Sequence, residues 1–252
     1  MKGLLIAMQF LTIIPIRLTN IDDKKISDSM VYFPIVGLLL GMVLVGMNHL
    51  LFILSFPQIS IDIILVISLI ILTGGMHLDG LSDTFDALFS RKNKDEMLKI
   101  MRDSHVGVLG ALGIISAILL KIAFLYSIDI SLKPPALILM CVLSRWSQVF
   151  SMFLFPYARQ EGKAKIFIEG INSKIIIFTT SLVLIVTIGA WNTKGILVFL
   201  IAGLCAYLIG KSVSRKIGGI TGDTLGATGE LIEVTVLICV CLMERVSLLW
   251  KM

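Results

Sequence analysis

Charge is scarce in this sequence. Only 15% of its 252 residues are Asp, Glu, Lys or Arg, whereas a soluble domain carries about 25%. Apolar residues make up 57%, and they cluster into long runs that do not alternate with polar residues. An ordinary soluble domain is therefore excluded, and the pattern predicts an all-α, polytopic membrane helical bundle.

Cysteine is rare, and several catalytic motifs are absent. The four cysteines all lie within apolar runs and form no CxxC pair, which argues against a disulfide framework and a thiolate metal site. No GxSxG elbow, Walker lysine motif or zinc-ligand spacing is present. The net charge of +5 does not indicate a nucleic-acid partner, because membrane proteins keep Lys and Arg in their cytoplasmic loops.

Seven apolar segments are long enough to cross, or nearly cross, about 30 Å of hydrocarbon. They are residues 31–55, 61–78, 106–128, 134–155, 175–190, 195–210 and 225–249. Residues 1–16 hold a shorter apolar stretch without a small-x-small cleavage site, which favours an interfacial helix or a short span. Without a soluble stretch or a repeat, residues 1–252 are predicted to form one integral membrane catalytic domain in the lipid bilayer. The oligomeric state is left open.

The connections between these spans differ sharply in positive charge. Fifteen Lys and Arg residues lie in four of them, and two lie in the other three. The rich set comprises residues 17–30, 79–105, 156–174 and 211–224. Positive residues concentrate on the cytoplasmic side, so this set is predicted to be cytoplasmic. The polar clusters lie in or beside it, which predicts an active site on the cytoplasmic face of the cell membrane.

The first acidic cluster follows the second span, in "MHLDGLSDTFD". Asp79, Asp83 and Asp86 are spaced i, i+4 and i+7, which on a helix places them within about a 60° arc. Three like charges on one face repel, and a divalent cation with oxygen ligands, such as Mg²⁺, removes that cost. The alternative is a solvated helix face with Asp79 as N-cap and Asp86 merely exposed.

Two polar groups flank this cluster. His77 is an interfacial side chain, a partner for an aspartate or a substrate contact, and the sequence does not decide among these. Arg102, Asp103 and Ser104 form a compact group before the next span. They are candidate substrate contacts, although Asp103 or Ser104 also suits the N-cap of a helix beginning near residue 106.

The second acidic cluster is the glycine-rich "GGITGDTLGATGELIE". Gly219 and Gly222 permit close backbone approach to a phosphate. Asp223 and Glu230 share a helix face, and Glu230 and Glu233 lie in an apolar run where ionisable residues are costly and are candidates for function. The alternative is a glycine-rich turn with Asp223 as a helix cap.

Cationic partners lie near both clusters. Arg145 falls within the fourth span and needs a carboxylate or a phosphate partner. Arg159 is in the following loop, and Arg91 and Arg102 flank the first cluster. Two acidic clusters with arginines nearby predict Mg²⁺-assisted transfer on a phosphate. The predicted catalytic residues are His77, Asp79, Asp83, Asp223 and Glu230. The predicted metal ligands are Asp79, Asp83, Asp86, Asp223 and Glu230.

Several motifs resemble, in order, those of the cobalamin synthase family of adenosylcobinamide-GDP ribazoletransferases. They are "GGMHLDGLSDTFDALFSR", "IMRDSHVGVLGALGI", "SRW", "PYARQEG" and "GGITGDTLGATGEL". The resemblance implies a Mg²⁺-dependent enzyme of the cytoplasmic membrane, in which a ribazole hydroxyl attacks the phosphate of GDP-activated adenosylcobinamide and releases GMP. The family's motif residues carry over to His77, Asp79, Gly80, Asp83, Asp103, Ser104, Arg145, Asp223 and Glu230.

Two other functions fit a polytopic protein with acidic clusters. A CDP-alcohol phosphotransferase would require DGxxAR followed by GxxxDxxxD, and Asp79-Gly80 is not followed by Ala-Arg. A transporter would place polar groups near the middle of the bilayer, often at interrupted helices, whereas this chain concentrates them at one face.

Overall fold

The computed structural model describes residues 2–16, 18 and 21–249. These residues form helices joined by short connections, and no strand occurs among them, only an isolated bridge between Tyr157 and Ile220. The all-α prediction is confirmed. In chain order the helices are α1 (Lys2–Leu11), α2 (Asp23–Asp28), α3 (Phe33–Ile53), α4 (Gln58–Leu72), α5 (Met76–Phe89), α6 (Lys94–Ile100), α7 (Val108–Ser127), α8 (Lys133–Leu154), α9 (Lys163–Gly170), α10 (Ser173–Ile217) and α11 (Gly222–Leu249).

Within the described residues, five helical segments are long and apolar enough to cross a membrane. They are Asp23–Ile53, Val108–Ser127, Ile130–Leu154, Ser173–Ile217 and Gly222–Arg245. A sixth is obtained if α4 and α5 are counted together as one broken span. The multi-pass architecture is therefore confirmed, and the count of seven stays a prediction.

Helix α10 contains the two predicted spans 175–190 and 195–210 and is broken between them. Trp191 and Asn192 have non-helical backbone angles, with φ of 49° at Asn192. Trp146 contacts both sides of the break: its ring donates to Thr180 at 3.1 Å and packs on Phe199 at 4.6 Å. An unbroken helix would separate residues 180 and 199 by about 28 Å, so the chain doubles back here.

Helix α8 is the centre of the bundle and is buried along most of its length. Gly37 and Gly41 of α3 lie against its backbone, where a Cβ would come within 2.5 Å of the Cys141 carbonyl oxygen and 2.9 Å of the Ile138 Cα. Small residues four apart permit this close approach of helices in membranes. The outer faces of the bundle carry exposed apolar side chains such as Leu119, Ile177 and Ile185, as expected for contact with lipid.

Helix α5 departs from the direction of the spans. Gly74 and Gly75, with φ of 64° and 68°, form a left-handed turn that bends α5 by 88° from α4. Glycine adopts this conformation without the steric cost that other residues pay. Asp79 therefore lies within α5 and not at its N-cap, which is Gly75, so the N-cap interpretation of Asp79 is wrong.

The N-terminal helix α1 has ten residues. At 1.5 Å per residue it is about 15 Å long, half of what a span requires. Its buried residues Ile6, Ala7 and Leu11 face the bundle. Of the two interpretations of residues 1–16, the short span is excluded for the described helix, because its ten residues are too few to cross.

Candidate active site

Two glycines bring the acidic helices α5 and α11 into backbone contact. A Cβ on Gly80 would lie 2.6 Å from the carbonyl oxygen of Asp223, and a Cβ on Gly226 would lie 3.2 Å from the Cα of His77. A larger residue at Gly80 would push the helices apart, and one at Gly226 would require a shift of a few tenths of an ångström. Because glycine has no side chain, the "HLDGLSD" and "TGDTLGATGE" motifs lie directly against each other.

Three carboxylates gather at this contact. Asp79 is exposed, while Asp83, one turn further along α5, and Asp223 of α11 are half-buried. Burial, followed by the charges of Asp79 and Asp223, raises the pKa of the Asp83 carboxyl, which lies on the bent helix outside the five spans. The site accumulates negative charge that these side chains alone do not balance.

Arg159 supplies one positive charge to this group. Its guanidinium donates to the Asp223 carboxylate at 2.6 Å. The loop that carries Arg159 is fixed to the glycine-rich segment by two backbone hydrogen bonds, Ala158 to Ile220 and Ile220 to Pro156, at 2.9 and 2.8 Å. Gly219 permits this pairing, since a Cβ there would come within 2.3 Å of the Pro156 carbonyl oxygen. Gly219 thus positions Arg159.

Asp223 is not the cap of α11. Its neighbours Thr221 and Thr224 satisfy the free end of the helix, because the Thr221 hydroxyl accepts from the Thr224 N–H at 3.2 Å and the Thr224 hydroxyl accepts from the Thr221 N–H at 2.8 Å. The helix-cap interpretation of Asp223 is therefore wrong. Its carboxylate remains free to face Arg159 and the cavity.

A cavity of about 280 Å³ opens beside the carboxylates. One part of its lining is polar and includes Asp79, Asp223 and Arg159. Another part, which we call the aromatic wall, consists of Phe10, Phe33 and Phe167. Gly222 also lines the cavity and is exposed, so its backbone is open to a ligand. A concave site with an apolar wall and a few convergent polar groups is typical of a small-molecule pocket.

A second charged layer lies deeper in the bundle. Lys121 of α7 binds both Glu230, at 2.6 Å, and Glu233, and Arg145 of α8 binds Glu233 from the other side. We call these four residues the buried charge layer. Each is at least 94% buried, and their two positive and two negative charges cancel. The prediction that Arg145 needs a carboxylate is confirmed, but Arg145 does not line the cavity.

Glu230 and Asp86, two of the five predicted metal ligands, have other partners. Glu230 is held by Lys121, about 10 Å along α11 from Asp223. Asp86 accepts hydrogen bonds from the N–H groups of Gly107 and Gly110, at 2.7 and 2.8 Å. It therefore caps α7 from a neighbouring helix, which corrects the interpretation that Asp103 or Ser104 caps this helix.

The chemistry of the remaining donors suits a hard divalent cation. No hydrogen bond or ion pair reaches the carboxylates of Asp79 and Asp83 within the described residues. Mg²⁺ is often held by one or two protein carboxylates, with waters and substrate phosphate completing its shell. No group of three or more His, Cys, Asp or Glu converges as a metal site in the described ranges. The donors thus fit a two-carboxylate site that a substrate completes.

The other predicted residues lie at different distances from the cavity. His77 is buried, lines the cavity, and has no partner for its Nδ1 atom among the described residues. Arg91, Arg102, Asp103 and Ser104 are exposed, and none lines the cavity. Asp103 binds the Nδ1 atom of His105 at 2.6 Å and accepts from its N–H. These contacts hold Asp103 and His105 in a local turn of the chain.

Sequence reasoning missed several residues around the cavity. Lys121, a single cation in an apolar run, could have been found by the rule that identified Arg145. Gln148 and the aromatic wall carry no local signal, because their role depends on which helices meet. Tyr157 lines the cavity next to Arg159 and belongs to the "PYARQEG" motif.

Comparison with known proteins identifies the family of this chain. A family model described as Cobalamin-5-phosphate synthase matches residues 3–241. The chain belongs to this family. The match confirms the resemblance of the motifs. The matched residues include the Arg159 loop, the buried charge layer and the acidic motifs of α5 and α11.

Curated relatives are similar over nearly their whole length. A protein of Fusobacterium nucleatum subsp. nucleatum is 37% identical, with 96% of each chain covered. One of Thermoanaerobacter pseudethanolicus is 38% identical, covering 94% of this chain and 96% of its own. One of Caldanaerobacter subterraneus subsp. tengcongensis is 39% identical, covering 93% and 95%. All three are named adenosylcobinamide-GDP ribazoletransferase. No solved structure matches the chain.

Proposed function

We propose that this chain joins α-ribazole or its 5′-phosphate to adenosylcobinamide-GDP, releasing GMP and forming adenosylcobalamin or its 5′-phosphate. The names of the full-length relatives support this activity. The observation that carries the proposal is the meeting of Asp79, Asp223 and Arg159 on one cavity. A phosphate transfer requires this combination of cation-binding and phosphate-binding groups.

The bonds of the reaction balance without an additional reactant. A hydroxyl oxygen of the ribazole forms a bond to the phosphorus attached to adenosylcobinamide. The bond from this phosphorus to the oxygen of GMP breaks, GMP leaves with the electron pair, and the hydroxyl proton is released. The chain's task is then to hold both substrates in line and to offset the phosphate charge.

Named residues fit these tasks. Arg159 is the cation that lines the cavity among the described side chains, so it would contact a bound phosphate, and Asp223 holds its guanidinium in place. Asp79 and Asp83 would hold Mg²⁺, which would offset charge on the phosphates and on the departing GMP. The buried charge layer fixes α7, α8 and α11 relative to one another beneath the cavity.

The charge pattern supports a site on the cytoplasmic side of the cell membrane. Asp79 and Asp83, the Arg159 loop and Gly222 all belong to connections of the set that carries fifteen Lys and Arg residues. Phosphorylated substrates such as GDP conjugates are available on that side. The polar, phosphate-bearing part of each substrate would enter from the open side of the cavity.

GMP release by the purified protein tests the proposal. With both substrates and Mg²⁺ present, we expect turnover in the wild type and a loss of roughly a hundredfold or more in Asp79→Asn, since a metal ligand is removed. Asp95→Asn is the matched control, because it removes an exposed carboxylate of α6 that does not line the cavity. Movement of a solute across vesicles without GMP release would contradict the enzyme and favour a transporter.

A further inference from the structure

The aromatic wall is a part of the cavity that phosphate chemistry does not require. Phe10, Phe33 and Phe167 come from α1, α3 and α9, and their rings touch one another: the centroids of Phe10 and Phe167 are 4.6 Å apart, and those of Phe33 and Phe167 are 5.6 Å apart. Among the side chains that the structure describes, which do not include Lys163, these three helices contribute no charged group to the cavity. Such a wall suits a flat, apolar ring.

Two buried polar side chains on the same cavity have no partner. His77 and Gln148 are 3% and 4% exposed, and both line the cavity. Within the described part of the chain, the Gln148 amide makes no hydrogen bond and the His77 Nδ1 atom has no partner. Because buried polar groups are nearly always hydrogen-bonded, these two point to a ligand that carries only a few polar atoms.

The volume of the cavity limits what can enter. At about 280 Å³ it lies near the small end of the range of about 300–1,000 Å³ for ligand pockets. A corrinoid macrocycle is far larger than a drug-sized molecule, so it must remain outside. The occupant is therefore a single ring system with its sugar.

The two nucleoside-like groups in the reaction differ in polarity. Guanine carries several donors and acceptors on its ring edges, and an apolar wall would leave them unpaired at considerable cost. The benzimidazole-type base of a ribazole has one free ring nitrogen and is otherwise apolar. A single amide donor such as Gln148 would satisfy that nitrogen.

We propose that this cavity is the ribazole site, with the base stacked on Phe10, the one partly exposed ring of the aromatic wall, and the sugar directed toward Asp79 and Arg159. The inference rests on the proposed function for the identity of the substrate. It assigns the specificity for the acceptor to α1, α3 and α9, which carry none of the acidic motifs.

Removal of one ring from the wall tests the site. Phe10 is partly exposed at the edge of the core, so Phe10→Ala disturbs the bundle less than loss of the buried Phe33 or Phe167 would. We expect its affinity for α-ribazole to fall about 5- to 100-fold, as for the loss of one base-stacking ring. The KM for adenosylcobinamide-GDP should stay within about twofold. Equilibrium dialysis with α-ribazole alone measures binding without turnover, and two-substrate kinetics measure each KM.

A truncated ligand makes the test specific for ring stacking. 1-Ribosylimidazole lacks the fused benzene ring, so the wild type should bind it more weakly than α-ribazole, and Phe10→Ala should lose most of that preference. Phe178→Ala is the matched control, because Phe178 is exposed on α10 and does not line the cavity. If Phe10→Ala does not fold, Phe10→Leu keeps the apolar bulk and removes the ring.

The outcomes separate this inference from the proposed function. Unchanged α-ribazole affinity in a folded Phe10 variant would overturn the inference even if GMP is released. A rise in the KM for adenosylcobinamide-GDP instead would identify guanine as the occupant and also overturn it. If the wild type binds α-ribazole, Phe10→Ala loses that binding and no GMP is released, the inference stands and the proposed function fails.

Discussion

The two acidic layers of this bundle have opposite electrostatic character. Asp79 lines the open cavity and Asp83 lies one turn further along α5, both without partners among the described residues. Arg159, the cation that acts on Asp83, is bound to Asp223. Glu230 and Glu233, about two and three turns along α11 from Asp223, are matched by Lys121 and Arg145. A carboxylate buried within a membrane bundle is tolerated only when it is paired with a cation. Pairing therefore distinguishes the acids that stabilise the bundle from those that remain available to a ligand.

The comparison predicts that similar substitutions will have opposite effects on stability in the two layers. In the buried charge layer, loss of an acid exposes a cation to an apolar environment. In the cavity layer, loss of an acid relieves repulsion in the metal-free protein. The three predictions below test this difference, from the largest expected effect to the smallest.

Glu233→Gln should have the largest effect on stability. It removes the only carboxylate bound to Arg145 in the described residues, and breaking a buried pair costs about 3–5 kcal/mol. We expect a marked fall in Tm in detergent. Glu230→Gln is the matched control, since Lys121 keeps Glu233 as a partner. Equal losses in the two variants would show that the layer does not act through Arg145.

Asp83→Asn should reduce turnover by roughly a hundredfold or more, as expected when a metal ligand is lost, while the metal-free protein keeps or slightly gains stability. Relief of a like-charge pair at i, i+4 contributes about 0.2–0.5 kcal/mol. We also expect Mg²⁺ to raise the Tm of the wild type and not that of the variant. Asp95→Asn is again the control, since Asp95 is an exposed acid outside the cavity. A Tm loss in Asp83→Asn as large as that of Glu233→Gln would contradict the comparison.

Asp86→Ala should have a smaller effect. It removes the carboxylate that binds the N–H groups of Gly107 and Gly110, and loss of a helix cap costs about 0.5–2 kcal/mol. Asp86→Asn keeps an accepting oxygen and should retain most of the stability. Thermal unfolding and GMP release measured together decide the role: lost turnover at normal stability in both variants would restore Asp86 as a metal ligand.

The sequence predicted the all-α class and the local relations between neighbouring residues, but not the contacts between distant helices. Helical spacing placed Asp79 and Asp83 on one helix, and α5 contains both, because that relation is local. The rule that a buried arginine needs an acid anticipated the pairing of Arg145. The convergence of residues 10, 33 and 167 depends on how α1, α3 and α9 meet, and no pattern within any one of them encodes it.

Position in the chain was also a poor guide to exposure. Lys133 is one of the two positive residues in the three connections that are poor in charge, yet it is fully buried and bound to Asp62. Its long side chain reaches a buried partner in α4 from the first residue of α8. A count of Lys and Arg in the loops therefore detects that charge-rich and charge-poor connections alternate along the chain. It does not reveal which of these charged side chains are exposed to water.

The contact between Gly80 and Asp223 also has a mechanical consequence. It lies in the first turn of α11, where this spanning helix meets the bent helix α5. Spanning helices tilt when the thickness of the bilayer changes, and a tilt pivots about the point where the backbones touch. The far end of α11 would then swing while the distance between the two acidic motifs stays nearly constant. We therefore expect the geometry of the cavity carboxylates to be insensitive to the lipid in which the protein resides.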